Sequence, residues 1–172
     1  SSLTFTPADW NTNQTVTVTG VNDNIADGTQ AFSIILAAAT STDGNYTTLD
    51  PSDVSVTNTD NDTAALTLGT ISGNTTEATG TATFTVKLAS EPTATITVAV
   101  SSNDLSEGTV SPASLTFTTA NWNINQDVTV TGVDDVITDG PITYGIVLNP
   151  SGDTSYDALP DSTVSVINTD ND

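Results

Sequence analysis

The sequence predicts an all-β fold: an immunoglobulin-like antiparallel β-sandwich with seven strands per module, repeated in tandem. Three observations predict it. Apolar residues alternate with Thr and Ser at period two, as in TATFTVKL (residues 81–88), which is the pattern of a strand with one face buried. No segment shows a 3.6-residue period. Finally, the chain repeats itself: SLTFTPADWNTNQTVTVTGVNDNIADG near the start returns as SLTFTTANWNINQDVTVTGVDDVITDG, and DVSVTNTDND returns as TVSVINTDND. Trp10 thus matches Trp122, Gly20 matches Gly132, Asp27 matches Asp139 and Asp60 matches Asp170.

The repeat sets the domain organisation. Residues 63–113 have no counterpart elsewhere in the chain, so 63–172 reads as a complete module. Residues 1–62 read as the C-terminal half of a preceding one. Within 63–172 the alternation predicts strands at 65–70, 81–88, 94–102, 114–118, 127–133, 141–148 and 162–168. Their inward residues are Leu66 and Leu68; Phe84, Val86 and Leu88; Ile96, Val98 and Val100; Leu115 and Phe117; Val128 and Val130; Ile142, Tyr144, Ile146 and Leu148; and Val164 and Val166. Each inward Val, Leu or Phe contributes roughly 1.5–3 kcal/mol when fully buried. Trp122 and Trp10 precede the fifth predicted strand and read as plugs at one end of the core. The chain begins within a strand-like pattern and carries no signal peptide, so a longer, secreted precursor is expected.

Composition narrows the function. Of 172 residues, one is basic and 21 are acidic, for a formal net charge of −20. With no cationic patch to displace counterions, such a chain repels nucleic acid and anionic membranes. It has no Cys and no His, which removes disulfides, thiolate chemistry, the usual general base and the usual zinc ligand. The lone base, Lys87, falls on the outward parity of its strand, which argues against a buried isopeptide cross-link. The Asn-x-Thr sequons at Asn13, Asn45, Asn61 and Asn74 are expected by chance in a chain this rich in Asn and Thr.

Strand direction then sorts the acids. In a sandwich, successive strands run to opposite ends, so the connections after the first, third and fifth strands meet the C-terminal tail at one pole. That pole receives Glu77, Asp104, Glu107, Asp134, Asp135, Asp139, Asp170 and Asp172, with Asn103 and Asn171 nearby. Two like charges about 4 Å apart repel by about 1 kcal/mol in water, and more at lower dielectric. A hard divalent cation reverses the sign, because Ca²⁺ takes roughly 6–8 oxygen ligands. Mg²⁺ suits the pole less, since it demands a compact octahedron. The plainer alternative is a solvated acidic surface.

Three stretches resemble the Calx-beta domain, a calcium-binding sandwich of sodium–calcium exchangers and many bacterial surface proteins. They are SGNTTEATGTATFTVKL around Glu77, VTVTGVDDVITDGPITYGIVL, and the terminal VSVINTDND. The resemblance implies calcium ligands at Glu77, Asp135, Asp139, Asp170 and Asp172, with Asp134 and Asp104 as weaker matches. In the first copy it implies Asp23, Asp27, Asp60 and Asp62. Two positions depart from the family pattern: Asp139 stands where the family has Glu, and Ile142 (Gln30 in the first copy) stands where it has a second Glu. One or two ions of modest affinity are therefore expected.

These readings combine into an expectation of a secreted, bacterial-type extracellular structural or adhesive repeat. Calcium would stiffen its inter-module junctions, and its partners would be neighbouring copies of the same module. The uncovered half module would be completed by sequence upstream or by strands of another copy, the latter giving a filament. The alternative is a carbohydrate- or protein-binding adhesin module, with Trp122, Tyr144 and Tyr156 as sugar contacts. Catalysis is not expected: Glu77 and Asp135 could form a glycosidase pair, but no pattern places either in an apolar pocket.

Overall fold

Alternating Thr and apolar residues become ladders wherever a partner strand exists. The computed structural model describes residues 2–172. The first copy contributes β1 (Gln30–Ile34) and β2 (Val54–Asn58). The second contributes β3 (Leu66–Leu68), β4 (Thr75–Thr76), β5 (Thr81–Leu88), β6 (Ile96–Ser102), β7 (Gly108–Ser111), β8 (Ser114–Phe117), β9 (Gln126–Gly132), β10 (Ile142–Ser151), a one-turn helix α1 (Thr154–Asp157) and β11 (Ser162–Thr169).

The second copy is a sandwich of two sheets. One has five strands in the order β4-β11-β10-β6-β8, and the other has four in the order β3-β5-β9-β7. All pairings are antiparallel except β11 with β4. Seven strands are expected here and nine form, because two of the expected strands are interrupted where the chain changes sheets. The first predicted strand (65–70) forms only β3 against β5, and the chain then crosses over so that β4 pairs with β11. The fourth (114–118) forms β8 against β6, and it is preceded by β7 on β9, which the alternation did not reveal. Pro112 lies between β7 and β8. Lacking an N–H, it cannot extend either ladder, so the crossing falls there. The third predicted strand begins at Ile96 rather than at residue 94.

The core lies between the sheets and contains the inward residues of the alternation: Phe84, Val86, Leu88, Ile96, Val98, Val100, Leu115, Phe117, Val128, Val130, Tyr144, Ile146, Leu148 and Val166 are all buried. Leu66, Leu68 and Val164 are partly buried against them. Ile142, expected inward, is only half-buried and stands outside this cluster. One member of the apolar core cluster comes from no strand. Tyr156, on α1, donates its hydroxyl to the Ser90 carbonyl at 2.8 Å, tying the helix to the β5–β6 loop. Asp153 caps α1 by accepting the amides of Ser155 and Tyr156. Trp122 packs against the core as a plug, and its carbonyl accepts the amide of Leu88 at 2.8 Å.

The first copy forms the hairpin β1–β2 in the register of its counterpart: Gln30 faces Asn58 as Ile142 faces Asn168. Residues 2–6 and 14–20 carry strand sequences but join no ladder. The second copy shows why. There the matching strands β8 and β9 pair with β6 and β5, whose equivalents are missing from 2–62. Leu3, Phe5, Val16 and Val18 are consequently exposed, whereas Leu115, Phe117, Val128 and Val130 are buried. Trp10 is 67% exposed, with no core to plug.

Candidate divalent-cation site at the acidic pole

The β4, β6–β7 and β9–β10 connections and the C-terminal tail meet at one end of the sandwich, and backbone groups hold them there. The amide of Glu77 donates to Thr169 O (3.2 Å) and that of Val133 to Glu107 O (3.0 Å). The Asn171 amide donates to Glu77 Oε2 at 3.1 Å. Asn168, buried in β11, donates from Nδ2 to Val133 O (3.1 Å) and to Glu107 Oε2 (3.4 Å), while its Oδ1 accepts the Thr75 hydroxyl (3.0 Å). One buried amide thus fastens three of the four segments.

On this frame stand two carboxylate triads. Glu77, Asp170 and Asp172 form one; Glu107, Asp135 and Asp139 form the other. Within each, the carboxylate oxygens lie within 4.8 Å of one another. Glu77 and Glu107 are buried, Asp170 and Asp135 half-buried, and Asp172 and Asp139 exposed, so each triad runs from the interior to solvent.

Local turns aim these side chains. Asp135 Oδ1 accepts the Ile137 amide at 2.7 Å, closing a turn in the β9–β10 loop. Gly140 then takes φ of +76°, a left-handed conformation that costs glycine little, and its N–H reaches Asp170 Oδ2 at 2.7 Å. The amide of Asp172 donates to Asp170 Oδ1 at 2.8 Å.

The electrostatics divide the first triad. The amides of Asp172 and Gly140 hold the Asp170 carboxyl below its ordinary value. Glu77 is favoured by the Asn171 amide, but desolvation and the charges of Asp170, Asp135 and Asp139 outweigh that bond and push its pKa up. The second triad therefore acts on the first, and the two form one field. A raised carboxyl can mark a general acid, but here the perturbers are other carboxylates rather than an apolar pocket. The lone base is on β5 opposite Thr67, one residue from the end that leads away from the pole. Glu77 is a carboxylate short of positive charge.

The first copy builds the matching half of this arrangement. Asp60 accepts the amides of Gly28 and Asp62, both at 2.7 Å, and Asp23 accepts that of Ile25 at 3.0 Å. Gly28 has φ of +79°, and Asn58 Nδ2 donates to Val21 O at 2.8 Å. Asp23, Asp27, Asp60 and Asp62 line a single concavity.

Of the residues the sequence singled out, Glu77, Asp135, Asp139, Asp170 and Asp172 stand in the triads. Asp104 and Asp134 do not. Asp104 turns its carboxylate to the hydroxyl and amide of Ser106, which hold its pKa down, and exposed Asp134 accepts from Asn171 Nδ2 at 3.4 Å. Glu107, placed at this pole by the sequence but absent from the family-implied ligands, completes the second triad. The donors are all oxygen and mostly anionic, which suits a hard divalent ion. Across the described residues no helix is long and apolar enough to cross a membrane.

Fold and site together define a β-sandwich repeat with an oxygen-rich pole able to hold a metal ion. A family model of the Calx-beta domain matches twice, over residues 1–63 and 60–172, and the chain belongs to that family. No curated protein matches it. Among solved structures, SSP-19, an MSP-domain protein like family member in Caenorhabditis elegans, is 16% identical with a TM-score of 0.37, over 59% of this chain and 97% of that one. The periplasmic chaperone SfaE is 8% identical with a TM-score of 0.38, over 62% of this chain and 57% of that one. Domains 4 and 5 of the S-layer protein SbsC are 16% identical with a TM-score of 0.34, over 87% and 80%.

Proposed function

We propose that this chain is a non-catalytic, extracellular structural repeat whose acidic pole binds Ca²⁺ and whose partners are further copies of the same module. The observation that carries the calcium reading is the pair of triads. Six carboxylates from four chain segments, two of them buried, face one another with no cation among them. Family membership supports the same ion. The triads would supply the ligands of one or two ions, and the ion would supply the counter-charge that Glu77 lacks. The net charge of −20 suits a fold stabilised by a bound cation.

Position gives the ion a mechanical consequence. Asp60 and Asp62 end the first copy one residue before Thr63 opens the second. An ion held by Asp23, Asp27, Asp60 and Asp62 would fix the loop and linker on which the second copy rides. Without it the junction is a short hinge between like charges.

Thermal unfolding with calcium and with chelator tests the reading. An ion present about 100-fold above its Kd adds about 2.7 kcal/mol, or roughly 5–10 °C in Tm for a chain of this size. Small-angle scattering should show a longer, narrower particle with calcium. Equal Tm in calcium and chelator would remove the ion from this proposal.

A further inference from the structure

The β9–β10 loop has two sides, and only one carries carboxylates. In the first copy the corresponding loop turns its other side to the second copy: the Glu91 amide donates to Asn24 O at 2.7 Å, and the Ser155 hydroxyl donates to Ala26 O at 3.2 Å. The apex 24–26 therefore sits on the β5–β6 loop and α1 of the following module. Ile25, between the two acceptors, is half-buried there.

The matching apex in the second copy is Val136–Ile137–Thr138, at the far pole. It has the same internal construction, since Asp135 accepts the Ile137 amide as Asp23 accepts that of Ile25. Its environment differs: Val136 is 89% exposed and Ile137 61%. Leu105, in the β6–β7 connection at the same pole, is 70% exposed. Large apolar residues in water at the most acidic end of the molecule are not explained by solubility. Ile137 is explained if the apex is the unfilled half of the contact that the chain already makes once, where its counterpart Ile25 is half-buried.

We propose that Val136–Ile137–Thr138 is a docking knob for the β5–β6 loop and α1 of a further module of this repeat, received as Asn24–Ala26 is received by Glu91 and Ser155. The occupant is set by that first contact, which offers an amide and a hydroxyl to two loop carbonyls. The inference deepens the structural-repeat reading, because the loop whose carboxylates line the pole would also set the angle to the next module.

The test extends the chain by a second copy of residues 63–172 joined directly to Asp172, reproducing the spacing from Asp62 to Thr63. Hydrogen exchange is then read at the amide of Glu91 and at its equivalent in the added copy. Both should be protected to a similar degree. Ile137→Asp should lower protection at the added copy at least tenfold and leave Glu91 unchanged, and Ile25→Asp should do the reverse. Ile137→Asp should leave the Tm of the unextended chain unmoved, since that side chain is exposed. An added copy whose equivalent amide exchanges freely, or is equally protected in the Ile137→Asp variant, overturns the proposal. Repeating the exchange with calcium and with chelator separates the two readings. Docking without any calcium response removes the ion alone, and a calcium response without docking removes the knob alone.

Discussion

Glu77 is the residue on which opposing effects meet. It is 2% exposed, accepts one amide hydrogen bond, shares its triad with Asp170 and Asp172 and feels the charges of Asp135 and Asp139 as well. Its raised pKa means that the metal-free fold binds a proton there more tightly than the unfolded chain does. That contribution is complete below the ordinary Glu value and is lost as pH rises through the raised one. Asp170 and Asp60 act oppositely: their amide bonds hold them low, so their contribution is present above the ordinary Asp value and lost as pH falls. The metal-free chain should therefore have its highest Tm in the weakly acidic range and weaken on either side. Saturating calcium should flatten the alkaline side, because the ion replaces the missing positive charge. Glu77→Gln should flatten it without calcium and lessen the Tm gain on adding calcium. A pH titration of Tm for both proteins, with and without chelator, checks all of this.

Among the elements, β11 and the β9–β10 loop decide whether the pole exists. Asn168→Ala removes the amide that fastens Glu107, Val133 and Thr75, and leaves buried polar groups without partners. A loss of roughly 1–3 kcal/mol is expected in urea unfolding, with weaker calcium binding. Gly140→Ala meets open space but keeps φ of +76°. About 1–2 kcal/mol should be lost there, together with the Gly140–Asp170 bond. These elements also show what is legible in a sequence of this kind. Alternation reveals the inward residues of β5, β6, β8, β9 and, Ile142 aside, β10, and the parity of strand direction brings the acids to one end. It did not reveal β4 or β7, because a strand that changes sheets after a few residues leaves too short a run. α1, a single turn, has no room for a helical period. Asn168 and Glu107 were missed as structural and ligand candidates because a buried polar residue looks like an outward-facing one until its partners are known.

For the whole molecule, the apolar side chains exposed on residues 2–62 raise the question of what lies against them. Leu3, Phe5, Val16, Val18 and Phe32 are exposed on 2–62, yet four of their counterparts are buried by β5 and β6, in a register that pairs Phe117 with Ile96, Leu115 with Val98, Val128 with Phe84 and Val130 with Ala82. The repeat therefore specifies a covering segment: one like 63–113, pairing its Ile96 and Val98 equivalents with Phe5 and Leu3, and its Phe84 and Ala82 equivalents with Val16 and Val18. Supplied by another copy, it would give a heterologous head-to-tail contact, which propagates as a filament unless it closes. In the chain alone, β1 and β2 should exchange amide hydrogens much faster than β10 and β11, because only the latter pair lies over a packed core. Placing a copy of residues 63–113 ahead of the chain should bring β1 and β2 to the protection of β10 and β11, and Phe5→Asp in that extended chain should undo the gain. If the chain assembles through the same surface, its sedimentation should shift to larger species with concentration, and the added segment or Phe5→Asp should return it to a monomer. If the added segment leaves β1 and β2 unprotected, the face is not the receptor that the repeat implies. If it protects them while the unextended chain stays monomeric at every concentration, the strands come from the same chain and the filament is excluded.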